Sequence, residues 1–205
     1  MEEEVQEIAT PYKSNYSLGI TFTILTLVAV AGYILSMFFP AASCLSSLGS
    51  IISFILLMVW FHRSYRNLAS FNNMGLKYSA GWAVGSFFVP LLNLFRPYQI
   101  AQEIWTASDP EASTVGWKQS KISIVIIFWW ISILSYTGII LATMGYSVWL
   151  GIQSAMNGVQ PDVAQVSAIG IPVLVAYVVY CILTISLVTL INDRQDEKAE
   201  KLDLL

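Results

Sequence analysis

AGWAVGSFFVPLLNLF, residues 80–95, is apolar and uncharged, and the number of times this chain crosses a membrane turns on it. Sixteen residues of helix at about 1.5 Å each reach roughly 24 Å, short of a hydrocarbon core of about 30 Å, and Pro90 removes a backbone hydrogen bond within even that length. Charge counts against a crossing more strongly. Four other uncharged runs, at about 18–39, 46–62, 122–149 and 166–191, are the candidates for spanning helices. With these four spans, all ten Lys and Arg residues fall on one side. Lys13 precedes the first span; Arg63, Arg66, Lys77, Arg96, Lys118 and Lys121 lie between the second and third; Arg194, Lys198 and Lys201 follow the fourth. A fifth crossing at 80–95 would split them four against six. The positive-inside rule therefore predicts an all-α integral membrane protein with four transmembrane helices and both termini in the cytoplasm. Residues 80–95 are then a re-entrant or interfacial segment between the second and third helices.

Composition agrees with the membrane class. Hydrophobic residues make up 56% and charged residues 11%, against roughly a quarter charged in a typical soluble domain. The connections are too short for a soluble domain with its own core. The chain divides into an acidic cytoplasmic tail, 1–17, a single membrane domain, 18–192, and a charged cytoplasmic tail, 193–205. The acidic ends, Glu2, Glu3, Glu4 and Glu7 at one and Asp193 to Asp203 at the other, dominate the net charge of −3, which argues against a nucleic-acid partner. An N-terminus without a basic region is not a secretory signal, so the first helix is read as a retained anchor. Cys44 and Cys181 fall at different depths, which argues against a disulfide, and two isolated thiols make no metal site. No metal or cofactor is expected.

Residues 60–107 hold most of the chemistry. Trp60, Arg63 and Asn67 recur at helical spacing, and His62 and Arg66 sit four apart on a neighbouring face, so the second helix is predicted to run past the membrane surface to about Ser70. Beyond 80–95, Gln99 and Glu103 are one helical turn apart, and Trp105 reads as an interface anchor. Glu103 is the only carboxylate between Glu7 and Asp109, so a pair with Arg63 or Arg66 is expected to pin 80–95 in place. The sharper reading makes His62, Arg63, Arg66, Asn67, Arg96 and Glu103 a site for an anionic lipid headgroup or a protein partner. The plainer one leaves the arginines snorkelling and paired.

The broken backbone of 80–95 has to be satisfied by protein or water, because lipid cannot hydrogen-bond it. Gly81, Gly85 and Ser86 are expected to allow close approach to neighbouring helices, and Asn93 to offer its amide near Pro90 and Pro97. A pore-lining half-helix is the functional alternative to a short packed one. Against it, the spans carry no ionisable residue at midplane, which transporters usually have.

Trp60, Arg63, Arg66, Asn67 and Leu68, then Gly81-Trp82-Ala83-Val84, then Phe88, Pro90, Asn93, Leu94 and Arg96-Pro97, and finally Glu103, Trp105 and Ala107-Ser108 follow in a long and specific order. That order resembles the bacterial membrane-protein family known as domain of unknown function 4328 (DUF4328). Arg194-Gln195, after the last span, is similar to the family's C-terminal end. The first span and the loop at 150–165 carry no matching motif, and Ser86-Phe87 departs from a more aromatic, Trp-rich run. The resemblance implies a polytopic bacterial membrane protein and no activity. Within it Trp60, Trp82, Pro90, Asn93, Pro97 and Trp105 are read as structural.

Catalysis needs a positioned nucleophile, acid–base pair or metal, and His62 is the only histidine. No phosphate loop, zinc spacing or His-Glu helix motif is present. Thr26, Ser53, Ser132, Tyr136, Tyr177, Tyr180 and Thr184 within the spans are expected to bond across helices, and the small pairs Gly32/Ser36 and Gly138/Ala142 to allow close contact. The sequence points to a non-enzymatic polytopic membrane protein that binds membrane lipids or a membrane-protein partner through residues 60–107. A small transporter or channel, built as a homo-oligomer, is the alternative, and a membrane-embedded enzyme a more distant one.

Overall fold

Lipid offers the backbone no hydrogen bonds, so each apolar run must satisfy its own as a helix. In a computed structural model, which describes residues 11–158 and 163–205, they do so. The helices are α1 (Tyr16–Ser36), α2 (Ala42–Ser70), α3 (Ala80–Gly85), α4 (Arg96–Ala107), α5 (Ile124–Asn157) and α6 (Val163–Lys201), with 3-10 turns at Leu92–Leu94 and Gly116–Gln119 and no strand among the described residues. Helices α1, α2, α5 and α6 are long and apolar enough to cross a membrane. The protein is an all-α, multi-pass membrane protein.

Helix α2 reaches Ser70, as the spacing of Trp60, Arg63 and Asn67 predicts. Helix α6 outruns its apolar stretch further. The charged segment after residue 192 continues the helix to Lys201 and is packed, with Gln195, Lys198 and Ala199 buried.

Helices α1 and α2 form an antiparallel hairpin with a seam of small residues. A Cβ at Gly32 would lie 2.8 Å from the Ser46 backbone nitrogen, and one at Gly49 would lie 3.0 Å from Ala29 Cβ. The backbones approach this closely because nothing larger stands between them. Thr26 donates to Ser53 across the seam at 3.3 Å. Helix α6 packs on α1 and on α5. Tyr136 stacks on Tyr180 with ring centres 5.6 Å apart, Trp129 Nε1 donates to Thr184 at 3.2 Å, and the Ser50 and Tyr177 hydroxyls are 3.0 Å apart. Two expectations fail here. Ser132 bonds to Trp129 O in its own helix, and Gly138 has no neighbour within 4 Å, so the α5 face at Gly138 and Ala142 is open.

Asn15 bonds to Ser64, Trp60 to Asn192, and Gln102 of α4 to the backbone of Ser123, so the start of α1, the end of α2 and the charged end of α6 meet one another beside the start of α5. That meeting point is the basic end of the bundle, and α4 is wedged into it against α2, α5 and α6. The core lies beneath α4, where Trp60, Phe61, Ile100, Ile104, Trp129 and Ile191 are fully buried.

Residues 80–95 contain no helix long enough to span. Helix α3 has six residues, opened by Ser79 Oγ accepting from Trp82 N–H at 3.3 Å. The chain then turns, and Pro97 enters the first turn of α4, where its missing N–H costs nothing. Phe87 packs edge-on against Phe61 at 5.2 Å and Phe88 against Phe54 at 6.4 Å, while Trp82, Phe88, Leu91 and Leu94 are exposed. The close approaches expected of the glycines are absent, since the nearest atoms to a Cβ at Gly81 or Gly85 belong to Ser79 and Trp82 of the same segment. Ser86 is buried without a partner for its hydroxyl. Asn93 contributes its backbone N–H, to Val89 O at 2.8 Å, and its side-chain amide bonds nothing among the described residues.

Candidate functional site

A layer of uncharged polar side chains closes the basic end. Trp60 Nε1 donates to Asn192 Oδ1 at 2.7 Å, and Asn192 Nδ2 to Asn15 O at 3.3 Å. Asn15 Nδ2 donates to Ser64 Oγ at 3.0 Å. Gln195, fully buried, donates to Ser64 O at 2.9 Å and to Ser108 Oγ at 3.2 Å, and accepts from Asn67 Nδ2 at 3.2 Å. Asn67 also bonds both backbone groups of Lys13, at 3.0 and 3.3 Å. The layer thus fastens the segment ahead of α1 to α2, α4 and α6.

Cations close the C-terminal end of α4, where the unpaired carbonyls carry partial negative charge. Arg194 Nε donates to Trp105 O at 3.1 Å, its guanidinium lies 4.3 Å over the Trp105 ring, and Nη2 is 2.9 Å from Asp109. Lys198 Nζ donates to Ala107 O at 2.8 Å. Burial would raise the Asp109 carboxyl, but hydrogen bonds from Ser120 and the Glu111 N–H, together with Arg194, hold it below its ordinary value. Trp105 itself is anchored through Nε1 to Lys121 O at 3.0 Å.

The expected pair of Glu103 with Arg63 or Arg66 does not form. Glu103 accepts from the Tyr65 hydroxyl at 2.9 Å and from the Lys77 N–H at 2.7 Å, and Tyr65 in turn accepts from the Tyr78 N–H at 2.9 Å. Arg63 turns the other way and donates from Nη2 to Ser14 O at 2.8 Å. The reason is helical geometry. Residues 63 and 65 lie about 200° apart around α2, so the face that meets α4 carries Tyr65 and not Arg63. The loop before α3 is therefore pinned by a tyrosine and two backbone amides.

Glu103 is 6% exposed, and burial raises its carboxyl above the ordinary value despite these hydrogen bonds and the nearby Lys77 and Lys118 charges. An acid raised in the fold binds its proton more tightly folded than unfolded. Its contribution to stability therefore grows as pH falls through the raised value toward the ordinary 4.5 and is lost as pH rises through that window. Glu103→Gln removes this dependence. In thermal unfolding, wild type is expected to gain on Glu103→Gln between pH 7 and about pH 5; a constant difference would contradict the assignment.

On the other side of α2 the basic residues converge. Lys13, His62, Arg63, Arg66 and Asn67 line a hollow of about 370 Å³ with Pro11 and Val59, and among the described residues no carboxylate is on its wall. Arg63 Nε is buried without a hydrogen-bond partner. Asp196, one layer behind, is engaged by the Tyr12 hydroxyl at 2.6 Å and Ser14 Oγ at 3.2 Å. Four of the six expected site residues are thus together. Glu103 lines a separate hollow of about 400 Å³ with Lys77, Gln99 and Lys118, and Arg96 lies over the Tyr78 ring at 5.1 Å. Asn15 and Asn192 were not singled out by the sequence, and Lys13 and Gln195 stood out only as a counted cation and as part of the family-like Arg194-Gln195. Their signal was polar side chains at the boundary of the first and last apolar runs, at one depth.

The pattern of the family described as Domain of unknown function (DUF4328) matches residues 26–193. The chain belongs to this family. The match takes in half of α1 and residues 150–165, where no motif is legible; the expected loop there is helical over 150–157, as the end of α5, and from 163, as the start of α6, and the match stops just short of Arg194-Gln195. No curated protein and no solved structure matches this DUF4328 chain.

Proposed function

We propose that this DUF4328 protein is a binding protein of the cytoplasmic membrane, with both termini in the cytoplasm, that holds an anionic lipid at its basic end and performs no chemistry on it. One observation carries the reading. Ile52, Ile55 and Val59, all exposed, run along one face of α2 at helical spacing directly into His62 and Arg66, with Arg63 and Lys13 alongside. An apolar stripe ending in a basic hollow is complementary to an amphiphile, its acyl chain along the stripe and its headgroup among the cations. Each Lys or Arg near an anionic surface contributes about 1 kcal/mol.

The 80–95 segment fits the same orientation. Phe54, which meets Phe88, lies seven residues before Phe61, which meets Phe87, a distance of about 10 Å along the helix. This supports a segment that dips into the cytoplasmic leaflet and returns, with Trp82, Phe88, Leu91 and Leu94 in lipid. His62, the only histidine, has no hydrogen-bond partner among the described residues, which favours binding over catalysis. The small cavity between Thr26, Ser50, Ser53 and Tyr177, about 50 Å³, is lined by hydroxyls that bond one another and favours helix packing over a transport path.

Native mass spectrometry of the detergent-purified protein tests the reading. Wild type is expected to retain an anionic lipid through activation that strips zwitterionic ones, and the double variant Arg63→Gln, Arg66→Gln to lose at least about tenfold of it, the equivalent of one to two cation contacts. Equal retention by the two proteins would contradict the site.

A further inference from the structure

We infer that the hollow on α2 takes a terminal phosphate, a phosphomonoester in place of the phosphodiester of most anionic lipids; this rests on the anionic-lipid reading above. The charge count is the first reason. Lys13, Arg63 and Arg66 bring three formal positive charges to a wall that also holds His62 and Asn67 and, among the described residues, has no carboxylate. A phosphodiester carries one negative charge and two free oxygens, and leaves most of that charge uncompensated. A phosphomonoester carries about −1.5 to −2 near neutrality and three terminal oxygens.

The second reason is donor geometry. Arg63 is held by its Nη2 bond to Ser14 O, so its guanidinium is oriented before any ligand arrives, and its Nε–H has no partner in the fold. Arg66 is exposed on the next turn of the same helix. Two guanidinium forks, one fixed and one free, match an anion with three equivalent acceptor oxygens better than one with two. Asp196 is engaged by Tyr12 and Ser14 and does not compete for the forks. The hollow, about 370 Å³, has room for the phosphate and the glycerol ester region behind it, with Val59 continuing as the apolar wall.

The full-length protein in phosphatidylcholine nanodiscs carrying either dioleoyl phosphatidate or dioleoyl phosphatidylglycerol at equal mole fraction tests this. Retained lipid is read by mass spectrometry, with radiolabelled inorganic phosphate as a separate probe. Phosphatidate is expected to be enriched about tenfold over phosphatidylglycerol, and Arg66→Gln, an exposed change that leaves the Arg63 contact to the fold in place, to bring the two within about twofold. Equal enrichment of both lipids over phosphatidylcholine overturns the phosphomonoester inference and leaves the anionic-lipid reading standing. Enrichment of neither overturns both. Binding of inorganic phosphate as tight as that of phosphatidate supports the terminal-phosphate chemistry and overturns a lipid as its source.

Discussion

Gln195→Leu is expected to lower the unfolding free energy of the purified protein by about 3 kcal/mol. Gln195 is fully buried, and its one amide bonds three residues on two elements: Ser64 and Asn67 of α2, the latter itself holding Lys13, and Ser108 at the end of α4. Leucine fills a similar volume, so packing is kept and the loss is of hydrogen bonds. Ser108 Oγ, also fully buried, loses its donor, and Asn67 loses an acceptor it cannot replace with water at that depth. Gln119→Leu, at an exposed glutamine, serves as control, with an effect within about 0.5 kcal/mol. A Gln195→Leu shift no larger than that control would mean that the polar layer does not hold the basic end together.

The second large effect is all-or-none. In a variant lacking Cys44 and Cys181, cysteines at Ser113 and Asn157 are expected to label from opposite sides of the membrane, and cysteines at Lys77 and Gln99 both from the side of Ser113. The structure brings all ten Lys and Arg to one end of the bundle, and Asn157 ends α5 at the other. Turning the bundle over, or threading 80–95 through, would place several of these cations on the far side of the membrane, against the positive-inside bias. The pairing of Tyr78 with Gln99 at 2.8 Å puts both flanks of the segment side by side. Labelling of Lys77 and Gln99 from opposite sides would make 80–95 a fifth span.

What was legible from the sequence follows from how far each signal reaches. The spans and the run of α2 to Ser70 rest on local periodicity, which neighbouring residues carry by themselves. The end of α6 does not. Asp193 to Lys201 has the composition of a solvated tail, and it is helical and packed because Gln195 meets Ser64 and Ser108, far away in the chain. Glu103 shows the same limit. Counting charges singles it out as the partner of an arginine, but the face of α2 that meets α4 carries Tyr65, and side-chain direction on a helix outweighs proximity of opposite charge. Of the site, His62, Arg63, Arg66 and Asn67 were legible because one helix carries them. Lys13 was not, because it joins them only through the contact of Asn67 with its backbone.

The proposed anionic-lipid site is tested most directly by cross-linking. A photoactivatable anionic lipid, with its diazirine near the glycerol end of the acyl chain, is incorporated into nanodiscs with the full-length protein, and the adducts are mapped by peptide mass spectrometry. The account predicts adducts concentrated on Ile55, Val59 and Pro11, abolished by Arg63→Gln, Arg66→Gln and absent with a zwitterionic analogue. Adducts spread evenly over α2 and the exposed face of α5, or unchanged in the double variant, would contradict it.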